Sequence, residues 1–202
     1  MKKNTSNQSL QVQTQEEIRR LRTLLLKEDH QVYLFVTSSI QPSFYQWIEA
    51  CAHSFALVQK NMVIVNLNLS QANPFETLRE KKGVEFFLSG EADFKEVCHP
   101  LQPKLDVLSN QTINEHSSDV LESNKLTELI QILRKQYDYV FIMAASLSEN
   151  YDALIVGEHV DALIYVKQQI DVSLAQVTQH ATLLRRLDKP VAGIIMTQMQ
   201  RF

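Results

Sequence analysis

Short apolar runs recur along this chain, and each is followed by a segment long enough to form a helix. A run that is apolar throughout is typical of a strand buried on both faces of a sheet. Five such runs are predicted strands: Val32–Val36, Met62–Val65, Tyr139–Met143, Ala162–Val166 and Val191–Met196. A sixth, shorter strand is predicted for Leu105–Leu108, which contains Asp106. Strands that alternate with helices predict a doubly wound α/β fold, with a mostly parallel β-sheet and helices on both faces.

The segments between the strands carry helical spacing or helix start signals. In the first of them, Ile18, Leu21 and Leu25 recur on one helical face. Predicted helices cover Thr14–Lys27, Ser43–Lys60, Ser118–Gln136, Asp152–Glu158 and Val172–Leu187, and shorter ones between Pro74 and Pro100 break at Gly83 and Gly90. The polar residues 1–13 predict a disordered tail, and residues 14–202 predict a single domain.

Composition excludes several classes of protein. The net charge of -3 and the pI near 6.1 argue against a dedicated nucleic-acid binder, which normally carries a basic excess. Cys51 and Cys98 form no disulfide framework, so a reducing cytosol is expected. No apolar stretch approaches the length of a membrane span, and the polar N-terminus has no signal-peptide core. His99 beside Cys98 lacks partners at zinc-site spacing, so no metal site is predicted.

In a sheet of this kind, ligands bind beyond the carboxyl ends of the strands. A phosphate-binding loop after the first strand would need glycines for close backbone approach, a lysine for charge and a Ser or Thr for magnesium. The whole chain has only four glycines, and the segment that follows Val36 is Thr37–Trp47, which contains neither glycine nor lysine. This segment holds three bulky aromatic residues instead: Phe44, Tyr45 and Trp47. They either fill a vacated nucleotide pocket or pack as ordinary core at the start of a helix.

The loops after Met62–Val65 and Tyr139–Met143 also lack the expected charges. Asn66 and Asn68 stand where an acidic pair would hold a metal, and Met143 ends the strand where an aspartate is expected. Magnesium prefers carboxylate oxygens, whereas an asparagine offers only a neutral carbonyl. The two asparagines are therefore expected to satisfy backbone groups at the strand end rather than to bind a ligand.

The order of these segments resembles that of the cytoplasmic kinase domain of the bacterial tyrosine kinases (BY-kinases) of capsule and exopolysaccharide synthesis. Those kinases belong with the partitioning-type P-loop ATPases, so the resemblance implies a P-loop NTPase-like fold. It extends from about Glu16 to Met196. The segments that carry it are Glu16–Thr23, Val36–Ser39, Gly83–Val97 with Leu105–Leu108, and Tyr137–Ile142 with Asp152–Leu154 and Val160–Ala162.

The departures from the family pattern predict a pseudokinase. The family's glycine and lysine positions fall on residues such as Pro42, Phe44 and Tyr45. Its metal-site positions fall on Gln46 and Trp47, and its acidic positions on Asn66, Asn68 and Met143. The vestigial pocket would thus consist of Ser39, Phe44, Tyr45, Gln46, Trp47, Asn66, Asn68 and Met143, with no catalytic residue, no ATP and no magnesium. No tyrosine follows Tyr165, whereas the family usually ends in a tyrosine cluster.

The family resemblance also implies an assembly surface. Glu16, Arg19 and Arg22 match the family's helix of Glu, Arg and Arg at three-residue spacing, which mediates ring-like self-association. Without the resemblance, the same residues would be exposed ion pairs on a solvated helix. Of the tyrosines, Tyr45 and Tyr151 lie in predicted loops and are better isolated phosphoacceptors than Tyr33, Tyr139 and Tyr165, which lie in predicted buried strands.

The expected function is a non-catalytic regulatory or scaffold subunit for exopolysaccharide or capsule synthesis and export. Such a subunit would self-associate or join active homologues, and would dock on a membrane polysaccharide co-polymerase. Its expected location is the cytoplasm, at the inner face of the cell membrane. Two alternatives remain: a tyrosine kinase or ATP-binding protein with a non-standard nucleotide site, and a partition-like positioning ATPase.

Overall fold

The computed structural model describes residues 15–38, 40, 42–168 and 173–197. Its centre is a seven-stranded sheet in the order β3-β4-β2-β5-β1-β6-β7. The strands are β1 (Val32–Thr37), β2 (Met62–Asn66), β3 (His99–Gln102), β4 (Leu105–Leu108), β5 (Tyr139–Met143), β6 (Ala162–Gln168) and β7 (Val191–Thr197). All pairs are parallel except β3–β4. The predicted mostly parallel α/β sheet is confirmed.

Strand β3 was not predicted, and the interpretation of residues 74–100 as short helices alone is wrong at its end, where His99 and Pro100 begin the strand. His99 and Pro100 pair antiparallel with Val107 and Asp106. The two strands are joined by a tight turn at Lys104, whose φ is 69°. The strand could not be predicted from the sequence because it is short, only half-buried and interrupted by a proline. It therefore has neither a continuous apolar run nor a regular alternation of apolar and polar residues.

The helices cover both faces of the sheet. They are α1 (residues 15–25), α2 (Pro42–Ala56), α3 (Val84–Leu88), α4 (Phe94–Val97), α5 (Ser117–Leu121), α6 (Asn124–Gln136), α7 (Asp152–Gly157) and α8 (Leu174–Leu184), with 3₁₀ turns at Glu76–Leu78 and Arg185–Leu187. The helix predicted for Ser118–Gln136 is in fact two helices, because Ser123 takes the extended conformation of an N-cap and α6 begins after it. The tail predicted for residues 1–13 lies outside the described residues.

Alternate residues of each strand face two separate apolar cores. On one face, Tyr33 and Phe35 pack with α1 and α2. On the other, Val32, Leu34 and Val36 pack with α3 to α8. Burial on both faces is what the continuous apolar runs predicted. Within the described residues, no helix is long and apolar enough to cross a membrane.

Candidate functional site

The carboxyl ends of β1, β2 and β5 meet at one edge of the sheet. The Leu67 N–H donates to the Met143 carbonyl at 2.7 Å, and the Leu147 N–H donates to the Thr37 carbonyl at 3.1 Å. These two backbone hydrogen bonds connect the loop after β5 to the loops after β2 and β1. The topology therefore brings together the three loops that the sequence singled out, at the place where α/β sheets bind ligands.

The loop after β1 leads directly into a buried aromatic group at the start of α2. Phe44 is fully buried, and Tyr45 and Trp47 are 8% and 7% exposed. The Trp47 ring lies 6.2 Å from Phe35 in an edge-to-face arrangement, so it extends the core between β1 and α2. Gln46, on the opposite side of the helix, faces solvent. Ser39 lies outside the described residues.

Tyr45 differs from the other two aromatic residues because its hydroxyl reaches the second loop. The Asn68 side-chain amide, which is fully buried, donates to the Tyr45 hydroxyl at 3.1 Å. Burial raises the pKa of Tyr45, although the hydrogen bond from Asn68 acts to lower it. A neutral hydroxyl–amide contact thus connects the loop after β1 to the loop after β2. The ring packs in the core at the start of α2, while its hydroxyl reaches the carboxyl end of the sheet. That these aromatic residues fill a vacated nucleotide pocket stays a prediction.

The asparagines after β2 belong to a buried hydrogen-bond network. The Asn66 amide donates to Ser109 Oγ and to Asn110 Oδ1, both at 3.0 Å. Its own oxygen accepts the Asn68 backbone N–H at 3.2 Å, as expected for an asparagine that satisfies a strand end. The Asn68 oxygen accepts from the Ser70 hydroxyl at 2.9 Å. Among the described residues, every partner of these two side chains is a neutral group.

The acidic residues near this edge are already engaged. Glu149, in the loop after β5, accepts a hydrogen bond from the Gln71 amide at 2.9 Å. Asp152 is fully buried at the start of α7, and its carboxylate accepts from Ser117 and Ser118 at 2.6 Å and from Asn150 at 3.0 Å. Sequence reasoning placed Asp152 at a helix border but could not find these donors, because two of them lie more than 30 residues away. Met143 is fully buried in the core.

Within the described residues, no group of three or more His, Cys, Asp or Glu side chains could hold a metal ion. The described residues of the three loops present buried aromatic rings and the hydrogen-bonded side-chain amides of Asn66 and Asn68. The buried Asn73 amide nitrogen and Ser146 hydroxyl have no hydrogen-bond partner. Among these described residues, there is no lysine or arginine to compensate a phosphate and no unengaged carboxylate to act as a base or a magnesium ligand.

Curated relatives of this chain are tyrosine kinases. A tyrosine-protein kinase CpsD of Streptococcus pneumoniae is 25% identical over 152 residues, which cover 73% of this chain and 67% of the relative. The tyrosine-protein kinase wzc of Salmonella typhi is 26% identical over 201 residues, 92% of this chain but 27% of the relative. Over most of its length, the chain is thus similar to bacterial tyrosine-protein kinases. A comparison with models of protein families found no match.

Solved structures of the tyrosine-kinase family share the fold. The kinase domain of the Escherichia coli tyrosine kinase ETK superposes with a TM-score of 0.81 over 93% of this chain and 78% of that one, at 15% identity. The septum site-determining protein MinD of Pyrococcus horikoshii, solved with Mg-ADP, superposes with a TM-score of 0.66 over 85% of this chain and 72% of that one, at 16% identity. The P-loop NTPase-like fold is thus confirmed. The present chain spans about two thirds of the length of the Streptococcus kinase and about a quarter of the length of the Salmonella kinase.

The residues predicted to form an assembly surface lie on α1, where two of them are exposed and the third turns towards α2. The Arg19 guanidinium lies 3.4 Å from the Glu16 carboxylate, and both side chains are largely exposed. Arg22 instead turns inward and donates to the Ser54 carbonyl at 2.7 Å and to the Ser54 hydroxyl at 2.9 Å. Two members of the set are available to a partner, whereas the third attaches α1 to α2. Their role in oligomerisation stays a prediction.

Proposed function

We propose that this protein is a non-catalytic member of the tyrosine-kinase family that acts as a regulatory or scaffold subunit in exopolysaccharide or capsule synthesis and export. The observation that carries the proposal is the contact of Tyr45 with Asn68, continued by Asn66 at the carboxyl end of the sheet. Phosphoryl transfer relies on cations and metal ions that neutralise the developing charge. A neutral, internally satisfied network provides none of that stabilisation.

The partners follow from the exposed part of α1 and from the relatives. The Glu16 and Arg19 side chains form a surface on which a second copy, or an active homologue, could be bound by ion pairs. A membrane polysaccharide co-polymerase would be the docking partner, which would place the protein at the inner face of the cell membrane. In this role the protein contributes binding and geometry, while an active kinase contributes the chemistry.

The test is calorimetric titration of the full chain with ATP in the presence and absence of magnesium. We expect no binding heat at millimolar ATP and no shift of the melting temperature, because RT ln(1 + [L]/Kd) is negligible when Kd far exceeds the ligand concentration. The E. coli ETK kinase domain, titrated under the same conditions, shows that the assay detects nucleotide. Magnesium-dependent binding by the wild-type chain would contradict the proposal and favour a kinase or ATP-binding protein with a non-standard site.

A further inference from the structure

The six tyrosines of this chain differ sharply in exposure. All six lie among the described residues. The side chain of Tyr151 is 65% exposed, whereas each of the other five is at most 9% exposed; these are Tyr33, Tyr45, Tyr137, Tyr139 and Tyr165. A kinase must reach the hydroxyl of its acceptor, so accessibility alone reduces six candidates to one.

Three of the five buried tyrosines also have hydroxyls that are hydrogen-bonded inside the protein. The Tyr45 hydroxyl accepts from Asn68, the Tyr137 hydroxyl donates to the Asp106 carboxylate at 2.7 Å, and the Tyr165 hydroxyl lies 3.2 Å from His180 Nδ1. Burial raises the pKa of all five buried phenols. A phosphate on any of them would place about two negative charges in the protein interior, which is strongly unfavourable.

The backbone around Tyr151 is held in a way that directs its side chain outward. The Tyr151 carbonyl accepts the Leu154 N–H at 2.8 Å, and the Asp152 N–H donates to Asn150 Oδ1 at 3.0 Å. These contacts fix the turn between β5 and α7. The phenol ring borders a cavity of about 320 Å³, together with Ser148, Glu149 and residues of α8. Tyr151 is therefore an exposed side chain on a turn that backbone hydrogen bonds hold in place.

We propose that Tyr151 is a phosphorylation site, modified in trans by an active tyrosine kinase that uses a nucleoside triphosphate. The Tyr151 oxygen attacks the γ-phosphorus, the bond from that phosphorus to the β–γ bridging oxygen breaks, and the nucleoside diphosphate leaves. The phenolic proton passes to a base of the donor kinase. That the donor is a separate chain rests on the proposed function, since this chain offers no groups for the transfer.

The added charge would act on the contact between two loops of the candidate site. Glu149, which borders the same cavity as Tyr151, accepts a hydrogen bond from Gln71 in the loop after β2. A phosphate carries about −1.5 to −2 charges at neutral pH, so it repels the neighbouring carboxylate. Phosphorylation is therefore expected to weaken the Gln71–Glu149 contact and to loosen the loop after β5. The modification would thereby act at the carboxyl ends of the strands, where α/β sheets bind ligands.

The experiment incubates the full chain with Mg-ATP and, in separate reactions, with one of two donors. These are the kinase domain of ETK and the kinase domain of VpsO, a second solved structure that shares the fold (TM-score 0.82). Phosphorylation of a Glu–Tyr copolymer in the same tubes verifies that each donor is active. Peptide mass spectrometry is expected to find one phosphotyrosine, at Tyr151, and at least a tenfold loss of incorporation in Tyr151→Phe. Tyr33→Phe, which removes a buried hydroxyl that has no hydrogen-bond partner, is the matched control and is expected to keep full incorporation. Absence of phosphate from the wild-type chain with both donors, or equal incorporation into Tyr151→Phe, would overturn the proposal.

A reaction without a donor kinase separates this inference from the proposed function. Phosphate on Tyr151 in that reaction would show that the chain transfers phosphate itself, which contradicts the non-catalytic role but confirms the acceptor. If the chain binds no nucleotide and accepts no phosphate from either donor, the proposed non-catalytic role stands. The proposal that Tyr151 is a phosphorylation site is then wrong. Hydrogen exchange of residues 68–73 and 146–151, faster after phosphorylation, checks the predicted weakening of the loop contact.

Discussion

A single carboxylate, that of Asp161, joins three elements at the amino end of the sheet. Its oxygen Oδ2 accepts the backbone N–H groups of Gln31 and Val32 at 2.9 and 2.8 Å. The Arg134 guanidinium of α6 donates to both carboxylate oxygens, at 2.8 and 2.5 Å. Burial acts to raise the pKa of Asp161, but the bonds from Arg134, Val32 and Gln31 outweigh it and lower the pKa to about 2.

Replacing Asp161 with Asn is expected to lower the free energy of unfolding by about 2–3 kcal/mol, since it removes charge-assisted bonds and leaves Arg134 without its partner. In urea unfolding at pH 7, the exposed Asp119→Asn is the control and is expected to change stability by less than about 0.5 kcal/mol. An equal effect of the two substitutions would show that Asp161 contributes no more than a surface carboxylate.

The same group gives a pH dependence with a defined sign. The folded-state pKa of about 2 lies below the ordinary value of 3.8. The stability from Asp161 is therefore fully present above about pH 4 and is lost as the pH falls through about 2. Urea unfolding between pH 5 and 2 should show a shallower decline for Asp161→Asn than for the wild type. Parallel curves for the two proteins would contradict the assignment.

Tyr45 allows the neutral network at the candidate site to be tested by itself. Tyr45→Phe keeps the buried ring but leaves the Asn68 amide without its acceptor, so we expect a loss of about 1–2 kcal/mol in unfolding free energy. Tyr151→Phe, which removes an exposed hydroxyl, is the matched control and should leave stability within about 0.5 kcal/mol of wild type. If both variants unfold at the same urea concentration as the wild type, the Tyr45–Asn68 contact contributes nothing to stability.

A residue's place in the candidate site could be predicted when it depended on local sequence position, but not when it depended on a contact with a residue distant in the sequence. Phe44, Tyr45 and Trp47 could be assigned to the site from their position after β1, because parallel strands present their carboxyl ends together. The partner of Tyr45 could not be predicted, since Asn68 lies 23 positions away. Only the register of β1, β5 and β2 brings these two residues together.

At the scale of elements, α1 has both a stabilising contact and an exposed surface. Arg22 donates two hydrogen bonds to Ser54 of α2, whereas Glu16 and Arg19 contact each other in solvent. In a variant that changes Arg19 and Arg22 together, a loss of self-association could not be separated from a loss of folding stability. Separate substitutions distinguish the two effects.

We expect the Glu16→Ala/Arg19→Ala double variant to reduce self-association, or binding of a homologue, without lowering stability by more than about 0.5 kcal/mol, because exposed ion pairs contribute little to folding. Arg22→Ala should lower the free energy of unfolding by about 1–3 kcal/mol through its lost bonds to Ser54. Light scattering measures the first effect and urea unfolding the second. A double variant that assembles like the wild type would exclude this surface as an interface.

The elements themselves were predictable where one physical signal dominated. The central strands consist of continuous apolar runs, and both faces of the sheet are covered by apolar cores, so the sequence pattern and the burial match. Strand β3 and the break between α5 and α6 depend on local polar contacts and on pairing with a distant strand. Asp93, which caps α4 through a reciprocal bond with Glu96, marks a boundary of this local kind.

At the scale of the whole molecule, the sheet order places the candidate site at the most protected part of the fold. Strands β1 and β5 have hydrogen-bonded neighbours on both sides, and their residues are buried in both cores. Strands β3 and β7 are the edges. Ile194 of β7 is 69% exposed, and Pro100 of β3 has no N–H to donate. Stability should therefore decrease from the centre of the sheet towards its edges.

Native-state hydrogen exchange tests this gradient. The amides of β1 and β5 are expected to exchange only through global unfolding, so that their opening free energy falls with urea at the full equilibrium slope. The amides of β3 should exchange at least tenfold faster and with little dependence on urea, because a short edge strand opens locally. If β1 and β3 had the same opening free energy, the sheet would unfold as one unit. Equal opening free energies would therefore contradict the predicted decrease in stability from the centre of the sheet towards its edges.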